Sequence, residues 1–399
     1  MKVLQLLCGT AWDGGSVAGL AITRAMITRG DQVWVVNFET KNDQKIREAG
    51  ATLVRIPSWT RAIRPLDFWV LFSLWRLCRR EKFDLVATRT AKGGFLGRLA
   101  ARLAGIPHVV HHAYGFSFNR ELRPLTRRSY ILLEWLAARA GHFIISVNEE
   151  QRQRAIRLGV ESPDRICTVP DGVDLGGYAN QDRRTARAEL GFDDSVLLIG
   201  AIGRLVPQKG LDCLIRALPV VLRAVPAAYL VIVGEGPLKS ELETEALRYG
   251  VAERVRLVGI RRDIPQVLAS FDVYVQPALW ESHSVSLIGA LAAGKPIVAT
   301  DIEDNRDVIE HGKTGLLVPA GDWAALASAL RATLLDPNLA LILGEAAQRA
   351  AADRFCQQRM IEQTLTAYDR VVTPRDWRTS HCRIPLRGAR LKAPVQGRG

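Results

Sequence analysis

Short apolar runs recur along this chain between stretches of helical spacing, and that alternation limits the possible fold more than any other feature. Val3 to Leu7, Gln32 to Asn37, Leu53 to Ile56, Leu85 to Thr88, His108 to His112, Phe143 to Val147 and Ile166 to Pro170 each read as a buried strand. Val17 to Arg29, Lys92 to Leu103, Leu125 to Ala140 and Glu149 to Gly159 read as helices. Strands joined through helices pair in parallel, because a crossover and not a hairpin connects them. A polar, turn-rich passage from Gly176 to Arg184 shows no periodicity, and the alternation then restarts. Its second series has strands at Val196 to Ala201, Tyr229 to Val233, Val255 to Val258, Phe271 to Gln276, Ile297 to Ala299 and Leu316 to Pro319. Its helices are Leu211 to Leu222, Asp263 to Ser270, a run from Val285 to Leu291, Trp323 to Leu335 and Leu339 to Arg354. The expectation is an α/β protein of two parallel-sheet domains, residues 1–180 and 181–356, facing across a cleft. Residues 357–372 read as a last helix placed to return to the first domain, and 373–399 as a basic, disordered arm.

Composition narrows the class. The chain has 399 residues, 48% hydrophobic and 24% charged, which suits two soluble globular cores. The net charge is +13, and Arg375 to Gly399 holds seven basic residues against one acid, so the tail supplies +6 and the body +7. Such a balance suits an anionic partner: a nucleotide-sugar, an anionic lipid surface or nucleic acid. Charge is the only argument for nucleic acid, so none is expected. The six cysteines form no CxxC pair and read as reduced thiols of a cytoplasmic protein. The start, MKVLQLLCGTAW, reads as a strand entering the Gly14-Gly15 turn and not as a signal peptide. No uninterrupted apolar run reaches spanning length, so any membrane association is expected to be peripheral, on the inner face. The stretch from Trp59 to Lys82 mixes Phe68, Trp69, Phe72 and Trp75 with Arg76, Arg79 and Arg80. It reads either as a helix lying on an anionic bilayer or as a buried helix with a basic end.

Two stretches of the second half carry chemistry. Gly203-Arg204 follows a strand and Lys209 comes six positions after Gly203, so two cations stand at a strand end, suited to clamp a pyrophosphate. Ser284 to Ser286 open a helix, whose unpaired N–H groups and dipole suit a phosphate, and Glu281 just before can reach what that phosphate carries. The alternative is an ordinary capped helix. Together the two stretches describe a site for a diphosphate leaving group, whose developing charge is stabilised electrostatically. In the first half, loops at strand C-terminal ends point to His111, His112 and Tyr114, against the alternative of packed, hydrogen-bonded residues. No GxGxxG opens a helix after a strand, which removes a dinucleotide-dependent oxidoreductase.

The ordered motifs resemble the retaining glycosyltransferases of family 4, which have the two-domain GT-B fold. They are Gly14-Gly15, PDGVD at Pro170 to Asp174, GRLVPQKG at Gly203 to Gly210, VGEGP at Val233 to Pro237, the donor motif from Glu281, LAAGKPIVAT and TGLLVPAGD. The match runs from Met1 to about Val372. The resemblance implies transfer of a hexosyl or N-acetylhexosaminyl group from a nucleoside diphosphate sugar, a UDP-sugar favoured, to a glycan or lipid-linked acceptor in cell-surface polysaccharide synthesis. Arg204 and Lys209 would bind the diphosphate and Glu281 would face the donor sugar, these three being the catalytic set. Amides around Ser284, Val285 and Ser286 would meet the distal phosphate, with Gly15, Gly203 and Gly234 also on the donor side and Arg261 passing the base. Gly14, His112 and Tyr114 are acceptor-side or sugar-contacting candidates. No metal or cofactor is implied, because the two cations take a metal's place.

Two positions depart from the family pattern. A second Glu is the rule eight positions after the first, and Gly289 stands there. The first-domain loop often reads HGF, and here it reads Tyr114-Gly115-Phe116. Both open an alternative, a catalytically weak or inactive GT-B relative acting as a scaffold or partner subunit.

Overall fold

The structure, a computed structural model, describes residues 1–7, 14–37, 42–56, 59, 64, 66–116, 118, 123–179, 181–281 and 283–373. The chain begins β1 (Lys2–Leu6), α1 (Gly14–Thr28), β2 (Gln32–Val36), α2 (Asp43–Glu48), β3 (Thr52–Val54), α3 (Asp67–Glu81), β4 (Leu85–Arg89) and α4 (Ala91–Leu103). It continues β5 (His108–Ala113), α5 (Pro124–Ala140), β6 (Phe143–Ser146), α6 (Glu149–Arg157) and β7 (Ile166–Thr168). The second series is α7 (Gly176–Ala179), α8 (Arg183–Glu189), β8 (Leu197–Ile202), α9 (Leu211–Ala224), β9 (Ala228–Val233), α10 (Lys239–Arg248), β10 (Val255–Leu257), α11 (Ile264–Ser270) and β11 (Val273–Gln276). It ends α12 (Val285–Ala292), β12 (Ile297–Thr300), α13 (Glu303–Arg306), β13 (Leu316–Val318), α14 (Trp323–Leu335), α15 (Pro337–Arg354) and α16 (Gln357–Val372).

Two all-parallel sheets result, ordered β3-β2-β1-β4-β5-β6-β7 and β10-β9-β8-β11-β12-β13. Both reverse direction beside their first strand, between β1 and β4 and between β8 and β11, and ligands bind at such switch points, outside the strands' C-terminal ends. The alternation of a strand's side chains explains the layers. In β1, Val3 packs with Ile22, Met26 and Tyr368 on one face, while Leu4 and Leu6 pack with Val70, Leu74 and Ala100 on the other. The second sheet repeats this: Ile199 meets Leu214, Leu218 and Leu330, and Leu198 meets Leu287, Ile288 and Leu291.

The passage without periodicity is not irregular. It forms α7 and α8, and Asp182 caps α8 by accepting from the Arg184 and Thr185 amides. The buried Arg187 fixes α8 to the second sheet through the Ser270, Asp193 and Val196 carbonyls and the Asp272 carboxylate. Helix α16 crosses back to the first sheet, where Met360, Ala367 and Tyr368 are buried and Asp369 pairs with Arg29 at 2.9 Å. Met360 and Tyr368 each contribute roughly 1.5–3 kcal/mol by burial. A second bridge joins the lobes: Asn148, which caps α6, and Gln151 within it donate to Asp304 Oδ1 at 2.8 and 3.1 Å, and Arg154 pairs with Glu303. The arm after residue 373 lies outside the described residues. Among the described residues Cys78, Cys167, Cys213 and Cys356 form no disulfide. No single helix among the described residues is long and apolar enough to cross a membrane.

Candidate active site

The loop after β8 and the start of α12 are knitted together. Ser286 Oγ donates to the Ile202 carbonyl at 3.2 Å, immediately before Gly203. Leu279 N donates to the Gln208 carbonyl at 2.9 Å. Gly234, at the end of β9, has φ +140°, and a Cβ there would lie 1.9 Å from the Gly203 carbonyl oxygen. Only glycine lets β9 close on the loop so tightly.

Within this frame the polar side chains converge. Lys209 is ion-paired with Glu281, the two side chains 14% and 10% exposed. Gln208 Nε2 donates to the other Glu281 oxygen at 3.4 Å, and Gln208 Oε1 accepts from Arg204 Nη2, also at 3.4 Å. Arg204 is exposed, so its guanidinium remains open to a ligand. The Lys209 stem lies along the chain at Gly203, where a Cβ would come within 3.1 Å of its Cε.

Helix α12 starts at Ser284, whose Oγ accepts from Leu287 N at 3.3 Å and from Gln276 Nε2 at 3.0 Å. The buried Tyr274 donates to Gln276 Oε1 at 2.8 Å and lies 3.0 Å from Ser286 Oγ. This network holds the helix start rigidly, with first-turn amides that have no intrahelical partner. The ring nitrogens of His283 are buried and unpartnered, and burial pushes its pKa down to about 4, so it is neutral at pH 7. Burial also pushes Asp304 up to about 6, against hydrogen bonds from Gln151 and Asn148 and with Glu281 nearby adding to the rise.

The structure thus gathers Gly203, Arg204, Lys209, Gly234, Glu281, Ser284, Val285 and Ser286 at one switch point. Arg261 is committed elsewhere, paired with Asp263 at 2.5 Å and with Glu189 at 2.9 Å. In the first lobe, Gly14 and Gly15 open α1, and a Cβ on Gly15 would lie 3.4 Å from the Tyr114 ring. His112 points inward, with Nε2 2.7 Å from the Tyr368 hydroxyl, and burial holds it neutral beside the Arg89 guanidinium. His111 is equally buried, 3.0 Å from Thr88 Oγ1. Tyr114 therefore takes the loop position facing α1, and neither histidine does. Sequence reading missed Gln208, though it lies inside GRLVPQKG, and the Tyr274–Gln276–Ser284–Ser286 network. It also missed Arg89, a fully buried cation whose Nη1 donates to Gln5 at 2.7 Å. Among the described residues no group of three or more His, Cys, Asp or Glu could hold a metal ion.

Chemically, an exposed Arg, a largely buried Lys–Glu pair and a helix start can hold an anion and meet new negative charge as it forms. The comparisons agree with that geometry. Residues 12–176 match the model of Glycosyltransferase Family 4, and residues 182–350 that of Glycosyl transferases group 1. The chain is 32% identical over 281 residues to the UDP-Gal:alpha-D-GlcNAc-diphosphoundecaprenol alpha-1,3-galactosyltransferase of Escherichia coli, covering 69% of this chain and 73% of that one. It is 35% identical over 297 residues to the phosphatidyl-myo-inositol mannosyltransferase of Mycobacterium leprae, covering 73% and 74%. The fold is similar to that of Anabaena Alr3699/HepE in complex with UDP and glucose, with TM-score 0.81, 22% identity, and 92% and 99% of the two chains covered. It is also similar to WaaG, a glycosyltransferase involved in lipopolysaccharide biosynthesis, with TM-score 0.75, 19% identity, and 93% and 99% covered. With two doubly wound lobes, both family models in order and relatives above 30% identity along most of their length, the chain belongs to the family 4 glycosyltransferases of GT-B fold.

Proposed function

We propose that this glycosyltransferase moves a sugar, with retention of anomeric configuration, from a UDP-sugar to a lipid-linked or glycan acceptor in cell-surface polysaccharide synthesis. The observation that carries the donor half is the convergence of Arg204, Gln208, Lys209 and Glu281 on the start of α12. Arg204 and Lys209 grip the diphosphate, the amides of Val285 and Ser286 take its distal phosphate, and Glu281 faces the sugar. Charge that develops on the leaving diphosphate meets donors already in place, so little reorganisation opposes the reaction. Relatives named for UDP-galactose with a diphosphoundecaprenol acceptor, and for phosphatidyl-myo-inositol, support a lipid-linked acceptor.

The surface supports it too. On α3, Phe68, Trp69 and Phe72 are 65%, 57% and 41% exposed while Val70, Leu74 and Leu77 face the core. On α5, Leu125, Leu132 and Leu136 are exposed beside Arg127, Arg128 and Arg139. Apolar side chains flanked by arginines suit an anionic bilayer, which would bring the lobe that receives the acceptor to its lipid. A panel of nucleotide-sugars with a lipid extract as acceptor tests the reading. NMR of the product's anomeric centre should show the donor's configuration, and the inverted anomer, or no transfer from any donor, would refute it.

A further inference from the structure

The first lobe grips one short element of the second. Asn148 and Gln151 donate to Asp304 Oδ1, the Glu150 amide donates to Asp307 Oδ2 at 3.2 Å, and Arg154 pairs with Glu303. Each contact sets a carboxylate on or beside α13 against a donor of α6 or its cap. The two aspartates meet the start of α6, the helix end that favours negative charge. Both lose water there: burial pushes Asp304 up to about 6 and raises Asp307 as well. Buried carboxylates add little net stability, so the contact is better explained by the register it gives the two lobes.

Short steps lead from this clasp to the donor loop. Asn305, next to Asp304, is buried and donates from Nδ2 to the Thr300 carbonyl at 2.9 Å and to Thr300 Oγ1 at 3.2 Å. Thr300 Oγ1 donates to the Ala278 carbonyl at 2.5 Å, three residues before Glu281. The Asp304 carboxylate is also close enough to Glu281 to feel its charge. On the other side, α6 follows β6, whose neighbour β5 leads into the loop of Tyr114. The clasp thus stands between the acid assigned above to the donor sugar and the lobe assigned to the acceptor.

We propose that Asn148 and Gln151 are positioning residues for the transfer: by clasping α13 they hold the donor loop, with Glu281, in register with the acceptor lobe. The proposal rests on the reaction proposed above, and two variants separate the two. Asn148→Asp keeps the oxygen that caps the Gln151 amide and turns the donor toward Asp304 into a second carboxylate. Asn148→Asp/Asp304→Asn restores one donor and one acceptor with their places exchanged. Both are assayed beside the wild type for transfer from the nucleotide-sugar panel to the lipid extract, and by calorimetric titration of UDP. Asn148→Asp should lower kcat about tenfold or more, since small misplacements of reacting groups are costly, with UDP affinity within about twofold of the wild type. The double variant should recover most of that loss. Asp304 faces Arg154 from α6 and Glu281 from the donor loop, with Glu303 and Asp307 beside it on its own element. A carboxylate added at 148 would share a proton with it, so kcat of Asn148→Asp relative to the wild type should rise about threefold or more from pH 7.5 to 5.5. A merely structural defect in α6 would show neither the rescue nor that pH dependence. Wild-type kcat in Asn148→Asp, or a double variant as slow as the single one, overturns the proposal while the reaction stands. If the wild type transfers from no donor, the reaction falls and the proposal with it.

Discussion

Replacing Lys209 separates what its ion pair does for the fold from what it does for the reaction. The Lys209 and Glu281 side chains are only 14% and 10% exposed, so losing the cation leaves a largely buried carboxylate without its ion pair. Lys209→Met keeps the aliphatic stem beside Gly203 and removes only the charge. Breaking a buried pair costs roughly 3–5 kcal/mol, and because both side chains keep some exposure we expect about 2 kcal/mol, read as a lower denaturation midpoint. The double variant Lys209→Met/Glu281→Gln removes the stranded charge and should recover most of that loss. Transfer should behave differently. A donor to the leaving group is worth about 100- to 1,000-fold in kcat, and neutralising Glu281 cannot restore it. Both variants should therefore be slow, and only the single one unstable. Recovery of near-wild-type turnover in the double variant would show that Lys209 serves only to neutralise Glu281, and the leaving-group assignment would be wrong.

Three further outcomes follow from the same coordinates. Asp304 has a folded pKa raised to about 6, so its ionised form opposes folding above that pH and the penalty fades as pH falls toward its unfolded value. Asp304→Asn should raise the melting midpoint at pH 7.5 by the equivalent of about 1–2 kcal/mol and remove the part of the pH dependence between pH 7 and 5 that Asp304 supplies; an unchanged profile would contradict the assignment. Gly234→Ala should cost at least about 2 kcal/mol, because φ +140° and a 1.9 Å approach to Gly203 both forbid a side chain; a wild-type denaturation midpoint would refute this. Phe68→Ser/Trp69→Ser should weaken sedimentation with phosphatidylglycerol vesicles by about tenfold or more while leaving UDP affinity intact, and unchanged sedimentation would exclude α3 as the contact.

The strands were readable because each is short and mostly apolar, and the central ones, such as β4, β11 and β12, are buried on both faces, as parallel strands are. The loop from Gly203 to Gly210 and the helix start at Ser284 were readable because their chemistry is local: a glycine turn, two cations, a capping serine. Helices α2 and α10 were not, since DQKIRE and KSELETEALR bury only Ile46 and Leu242 with Ala246 and so show little stripe. The passage at Gly176 hid α7 and α8 for the same reason: four and seven residues are too few to establish a period. Partnerships were out of reach wherever separation in sequence was large. For His112 the sequence left a site residue and a packed, hydrogen-bonded residue both open, and the partner Tyr368 lies 256 residues on. Nothing near Gly289 in the sequence showed that Tyr178, from α7, packs against it.

Calorimetric titration of UDP and UMP into the wild type and Arg204→Ala, with EDTA present, tests the diphosphate assignment most directly. The wild type should bind UDP roughly 30-fold more tightly than UMP, the equivalent of about 2 kcal/mol for charge-assisted contacts to the second phosphate. Arg204→Ala should narrow that gap to less than about tenfold with UMP affinity unchanged. Equal binding of UDP and UMP by the wild type would contradict it.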